Sequence, residues 1–149
     1  ENSEKHLLDL RSSEKKLHLN TEQPYEEFLQ RCNELKNKTM SFIKNEVKKG
    51  KKIHAYGAST KGNTILQYYE LDDNLIDAIA DRNPDKWNRK TIGTNLEIIS
   101  EEKSRSLKPD YFLILPWHFL EEFREREQDF FKNGGKFIVP LPDFKIIEK

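Results

Sequence analysis

With 149 residues, 26 basic and 26 acidic, the chain has the length of one folded domain and no net charge to draw it to nucleic acid or an anionic membrane. Its one cysteine excludes an internal disulfide and fits a reducing compartment, and no apolar run approaches the roughly 18 residues of a membrane span. A cytoplasmic protein is expected, with long solvated helix faces around a compact core, because charged residues make up as large a share (35%) as hydrophobic ones.

The charge is evenly spread: up to Gly50 there are 10 basic and 9 acidic residues, which leaves 16 and 17 for the rest. The chain does not begin with Met, which suggests a piece of a longer polypeptide. Glu4 to Leu17, charged with scattered leucines, reads as a marginal helix. A stronger helix follows from Pro24, a residue suited to a first helical turn. Tyr25, Phe28, Leu29, Cys32, Leu35, Ile43 and Val47 recur at helical spacing, with Cys32 as a core thiol, and Gly50 ends the run. Residues 1–50 are thus expected to form an N-terminal helical segment packed on the domain that follows.

From Lys52 the pattern changes to alternating strands and helices, the mark of a parallel α/β sheet. Strands are expected at Ile53 to Tyr56, Ile76 to Ala80, Tyr111 to Leu115 and Phe137 to Val139, with a further short one at Leu96 to Ile99 and a terminal one at Phe144 to Ile147. Helices are expected from Lys61 to Tyr69, from Glu101 to Leu107 behind a Ser100 cap, and from Phe119 to Lys132. In the last, Phe119, Leu120, Phe123, Phe130 and Phe131 mark the buried face and Gly134-Gly135 the stop. Residues 51–149 therefore predict a Rossmann-like three-layer domain with a mostly parallel sheet, preceded by a long helix.

In such sheets ligands bind beyond the carboxyl ends of the strands. Three of those ends carry polar chemistry. At the first, an apolar strand runs through Tyr56 into Gly57-Ala58-Ser59-Thr60-Lys61-Gly62-Asn63 and opens a helix, whose unpaired amides and dipole favour an anion. Gly57, Ala58, Ser59 and Gly62 would cradle a phosphate, with Lys61 or Asn63 reaching polar atoms. Ser59 stands where a dinucleotide fingerprint has its middle glycine, and Lys-Gly-Asn replaces the Gly-Lys-Ser/Thr of a P-loop. A phosphate site and a purely structural turn both stay open on the motif by itself. Asp81, 24 residues beyond Gly57, has the spacing of a ribose-binding acid. Arg82 offers a planar fork to phosphate, although Asp81-Arg82-Asn83-Pro84 also suits a self-satisfied turn. At the third end, Trp117 offers an aromatic face and His118 a hydrogen bond to a base or sugar. His6, His18 and His54 show no ligand spacing with each other or with Cys32, so no metal site is expected.

Together these blocks resemble the C-terminal domain of S-adenosylmethionine-dependent sugar C-methyltransferases, which act on nucleotide-linked keto sugars. Tyr56-Gly57-Ala58-Ser59-Thr60-Lys61-Gly62-Asn63-Thr64 and Asp81-Arg82-Asn83-Pro84 carry the likeness. Gly93-Thr94, Pro109-Asp110-Tyr111, Leu113 to Trp117 and Gly134 to Pro142 follow in the same order. The sequence departs from the family's pattern at His118, where Asn is usual, and at Asp85 to Ile92, where a glycine is usual.

The resemblance implies a three-part enzyme with a zinc-binding N-terminal domain, a central domain holding the methyl donor and the acid–base residues, and this domain over the substrate. The reaction it implies removes a proton beside the sugar ketone and passes a methyl group to the enolate carbon. S-adenosylmethionine would belong to the full enzyme and be bound by a domain outside these residues, leaving no cofactor expected here, no catalytic residue, and a nucleotide-diphosphate sugar as ligand. The fragment would then be inactive alone. The alternatives are a free-standing Rossmann-like nucleotide-binding module and a structural or interaction module.

Overall fold

The computed structural model describes residues 2–148, which divide into two compact units, one ending at Glu34 and the other running from Leu35. The first contains α1 (Asn2–Lys16) and the start of α2 (Gln23–Lys48). The turn between them is held by the Tyr25 hydroxyl, which donates to the Leu19 carbonyl at 2.9 Å. The expected apolar stripe splits between the units. Tyr25, Phe28 and Leu29 are exposed and Cys32 is half-buried, whereas Ile43 is fully buried in the α/β core. A charged residue also joins the buried face: Glu46 accepts from the Tyr111 hydroxyl at 2.7 Å and from Lys49 at 2.6 Å.

The second unit is Rossmann-like. Its six-stranded sheet comprises β1 (Ile53–Tyr56), β2 (Ala78–Asp81), β3 (Ile98–Ser100), β4 (Tyr111–Ile114), β5 (Lys136–Val139) and β6 (Lys145–Ile147), in the order β3-β2-β1-β4-β5-β6. All neighbours are parallel except β5 and β6. Strands buried on both faces read as continuous apolar runs, which is why β1, β2 and β4 stood out. β2 begins later than expected, at Ala78: the Asp77 amide still donates to the Ile53 carbonyl at 2.9 Å, but the Ile53 amide is taken by the Asp77 carboxylate at 3.0 Å instead of a backbone carbonyl.

One face carries α3 (Thr60–Tyr68) and the later part of α2. Their Ile43, Ile65 and Leu66 meet Ala55, Ile79 and Leu113 of the sheet. The other face carries α4 (Glu101–Ser106), α5 (Leu120–Arg126) and α6 (Gln128–Lys132), with an aromatic core of Tyr56, Phe112, Phe123, Phe131 and Phe137. The helix expected over Phe119 to Lys132 is therefore two helices. A 3-10 turn (Trp117–Phe119) precedes them, and the chain bends at Glu127, with φ −100° and ψ 30°. The bend tucks the Glu127 carboxylate inside, only 1% exposed.

Candidate functional site

Strand order reverses between β1 and β4, so the segments leaving their carboxyl ends run to opposite faces and open a crevice there. Two glycines let those segments close up. Gly57 has φ +88°, and a Cβ on it would lie 2.5 Å from Pro116 Cγ. A Cβ on Gly62 would lie 2.9 Å from Leu115 Cβ, so α3 rides directly on the end of β4. Both positions thus have a packing reason to be glycine.

Hydrogen-bond accounting changes the expected cradle. The Gly57 amide donates to the Ala80 carbonyl (2.8 Å), Ala58 to Asp81 Oδ2 (2.8 Å), Ser59 to the Gly57 carbonyl (2.9 Å) and Gly62 to Ser59 Oγ (3.0 Å). These four amides are committed inside the protein and do not form the phosphate cradle read from the motif. Ser59 is the N-cap of α3, which leaves the amides of Thr60 and Lys61, the first two helical residues, without an intrahelical partner. Both residues are exposed, and among the described residues Lys61 forms no salt bridge. In the same turn, Asn63 Oδ1 is buried with no hydrogen-bond partner.

Asp81 also has a different use from a ribose clamp. Its carboxylate accepts from the amides of Ala58 and Asn83 (2.8 Å each) and from Lys86 Nζ (3.2 Å), and Lys86 continues to the Ala58 carbonyl. Trp87 Nε1 donates to the Asp81 carbonyl at 2.8 Å. Asp81 therefore ties the loop after β2 to the turn after β1. Asn83 caps the 3-10 turn at Pro84–Lys86 by accepting the Asp85 amide. Arg82 is different: its side chain is 69% exposed and reaches Glu122 only at 3.8 Å. Trp117 is half-buried between the two core clusters, and His118 is exposed, its ring 4.4 Å from that of Phe119.

The structure thus brings Tyr56, Gly57, Asp81 and Arg82 to the wall of one cavity of about 300 Å³. Lys61, Asn63, Trp117 and His118 are not in that wall. It is completed by Glu101, Phe119, Glu122, Phe123 and Arg126, which sequence reasoning had treated as solvated charge or simple core. Beneath it, the Tyr56 hydroxyl donates to Glu127 at 2.8 Å, and Arg105 donates to the same oxygen at 2.6 Å. Arg126 pairs with Glu101 at 2.9 Å and with Glu122. Burial, and then the Glu127 charge, push the Tyr56 phenol far above its ordinary range, so it remains a donor. The i,i+4 pairs Glu101/Arg105 and Glu122/Arg126 were the signal available in sequence.

The cavity wall offers recognition chemistry in guanidinium donors, carboxylate acceptors and aromatic surface, and the two helix amides lie outside it. Among the described residues no group of three or more His, Cys, Asp or Glu side chains is placed to hold a metal ion.

The family model for the C-methyltransferase C-terminal domain matches residues 1–142. The C-methyltransferase NovU of Streptomyces niveus is 32% identical over 123 residues, covering 83% of this chain and 29% of the relative. The chain therefore spans less than a third of that relative's length.

Proposed function

The chain belongs to the C-methyltransferase C-terminal domain family, and from that premise we propose that it is the substrate-side domain of an S-adenosylmethionine-dependent enzyme that methylates a carbon of a nucleotide-linked keto sugar. The carrying observation is the open first turn of α3 beside the strand switch point. There two exposed residues, Thr60 and Lys61, have amides with no intrahelical partner, and the Lys61 ammonium forms no salt bridge among the described residues, a set suited to a diphosphate. Arg82, Asn63, Trp117 and His118 stand on the same carboxyl edge for contacts to the rest of the ligand. Tyr56, Gly57, Ala58, Ser59, Gly62, Asp81 and Asn83 shape that edge from beneath.

In this reading the methyl donor, the zinc and the acid–base groups belong to other domains of a longer cytoplasmic polypeptide, and this domain binds without transforming. The committed carboxylate of Asp81 supports placing the donor elsewhere, because an adenosyl ribose needs such an acid free. Calorimetric titration with nucleoside diphosphates, sugar nucleotides and S-adenosylmethionine tests it. A sugar nucleotide binds and the donor does not, and Lys61→Ala weakens binding roughly tenfold, the worth of one charge-assisted contact. Binding of the donor alone would overturn the assignment. Failure of every nucleotide, with self-association of the chain, would favour an interaction module, a reading to which the exposed Leu7, Leu8, Leu10 and Phe28 lend weight.

A further inference from the structure

We propose that the cavity on the α4 and α5 side of the carboxyl edge takes a neutral, hydroxyl- or N–H-bearing ring of the sugar nucleotide, stacked on Phe119 with its polar edge on Arg82 and Glu122. This rests on the sugar-nucleotide reading above and adds which part of the ligand goes where.

Charge argues first. Each guanidinium at the cavity already faces a carboxylate, Arg126 with Glu101 at 2.9 Å and Arg82 with Glu122 at 3.8 Å. A phosphate there would meet carboxylates and displace existing pairs, whereas a neutral O–H or N–H finds acceptor lone pairs and guanidinium donors side by side. Size argues next, since about 300 Å³ holds one ring system rather than a whole sugar nucleotide. The apolar surface is also in place. Phe119 is 50% exposed at the cavity wall, with the His118 ring at 4.4 Å and Phe123 edge-on at 6.3 Å, so half of its surface is left as a platform.

Distance connects the cavity to the anion site. Gly57 lines the cavity and Thr60 opens α3 three residues later, a span of at most about 11 Å. A ligand with its diphosphate on the Thr60 and Lys61 amides can therefore lay an adjoining ring into the cavity.

The test is calorimetric titration of the 149-residue chain and its Phe119→Ala and Glu122→Gln variants, with unfolding midpoints measured alongside. The probes are uridine and thymidine diphosphate glucose, the matching nucleoside diphosphates, glucose 1-phosphate and inorganic pyrophosphate. Phe119→Ala is expected to weaken sugar-nucleotide binding about tenfold, as loss of one stacking platform does, while pyrophosphate binds as before. A parallel loss with the nucleoside diphosphate identifies the ring as the nucleoside, and a parallel loss with glucose 1-phosphate identifies it as the sugar. Wild-type binding that neither variant changes overturns the cavity placement and leaves the sugar-nucleotide reading standing. Silence of the wild type toward the whole panel overturns both.

Discussion

Along β1, Ile53 and Ala55 turn toward α2 and α3 while His54 and Tyr56 turn toward α4, α5 and α6, and the two sides of the sheet are built from different chemistry. The α3 side is aliphatic through most of its depth, with Leu66, Ile79 and Leu113 fully buried, and its main polar link, Tyr111 to Glu46, joins α2 to β4. The α4 to α6 side sets charges among aromatics: Glu127 receives Tyr56 and Arg105, and His54 Nδ1 lies 2.8 Å from Ser104 Oγ with both residues buried. An aliphatic face gains stability from area alone, and almost any close-packed set of the right volume serves. A face of paired charges is specific in geometry and costly to leave half-made.

Substitutions on each side should separate these two regimes. The largest effect is expected for Leu66→Ala, a cavity in the aliphatic layer costing about 4 kcal/mol in urea unfolding at any pH. A loss below about 2 kcal/mol would mean that this side collapses around the gap. Glu127→Ala removes the shared acceptor of Tyr56 and Arg105 and is expected to cost about 3 kcal/mol, toward the low end for a broken buried pair because the Arg105 side chain is 41% exposed. If it costs nothing, the network is ornamental and the contrast between the faces fails.

The smallest effect is a pH dependence. Burial holds the His54 pKa below its ordinary value, so as pH falls the unfolded chain takes up the proton first. Stability is then full above about pH 6.5 and declines below it, by at most about 1.4 kcal/mol per unit, until the folded protein is protonated too. His54→Asn should flatten that decline. The carboxylates of Asp110, held low by Lys51 and the Lys52 amide against the effect of burial, and of Glu46, held low by Lys49 and Tyr111, lose their contributions only in a more acid window. An unchanged slope in the variant between pH 6.5 and 5 would remove His54 as its cause.

The same contrast explains what could be read in the sequence. Strands β1, β4 and β5 announce themselves as short apolar runs between polar breaks, and Ser100 reads as a helix cap from type and place, whereas Ser59, read as part of a phosphate cradle, proves to be the cap of α3. The break at Glu127 does not, because Phe123, Phe130 and Phe131 keep helical spacing across it and a lone acid in a charged helix looks solvated. Only its distant partners, 71 residues away in Tyr56 and 22 in Arg105, reveal the burial. The turn after β1 shows a further limit. Residue types and spacing mark a glycine-bounded strand-to-helix junction, yet whether an amide faces a ligand depends on contacts with Ala80 and Asp81, which no local pattern encodes. The apolar stripe of α2 likewise gives a helix but not which of its turns lie beneath the sheet.

The close seat of Gly57 against Pro116 has a consequence for anyone redesigning this edge. The turns after β1 and after β4 are neighbours in space but 59 positions apart in the chain, and neither has room to be rebuilt around the other. A graft that imports one turn from a relative inherits a clash or a hole at its counterpart. The two turns are therefore one exchangeable part, and a transplant should move residues 57–63 and 115–119 together.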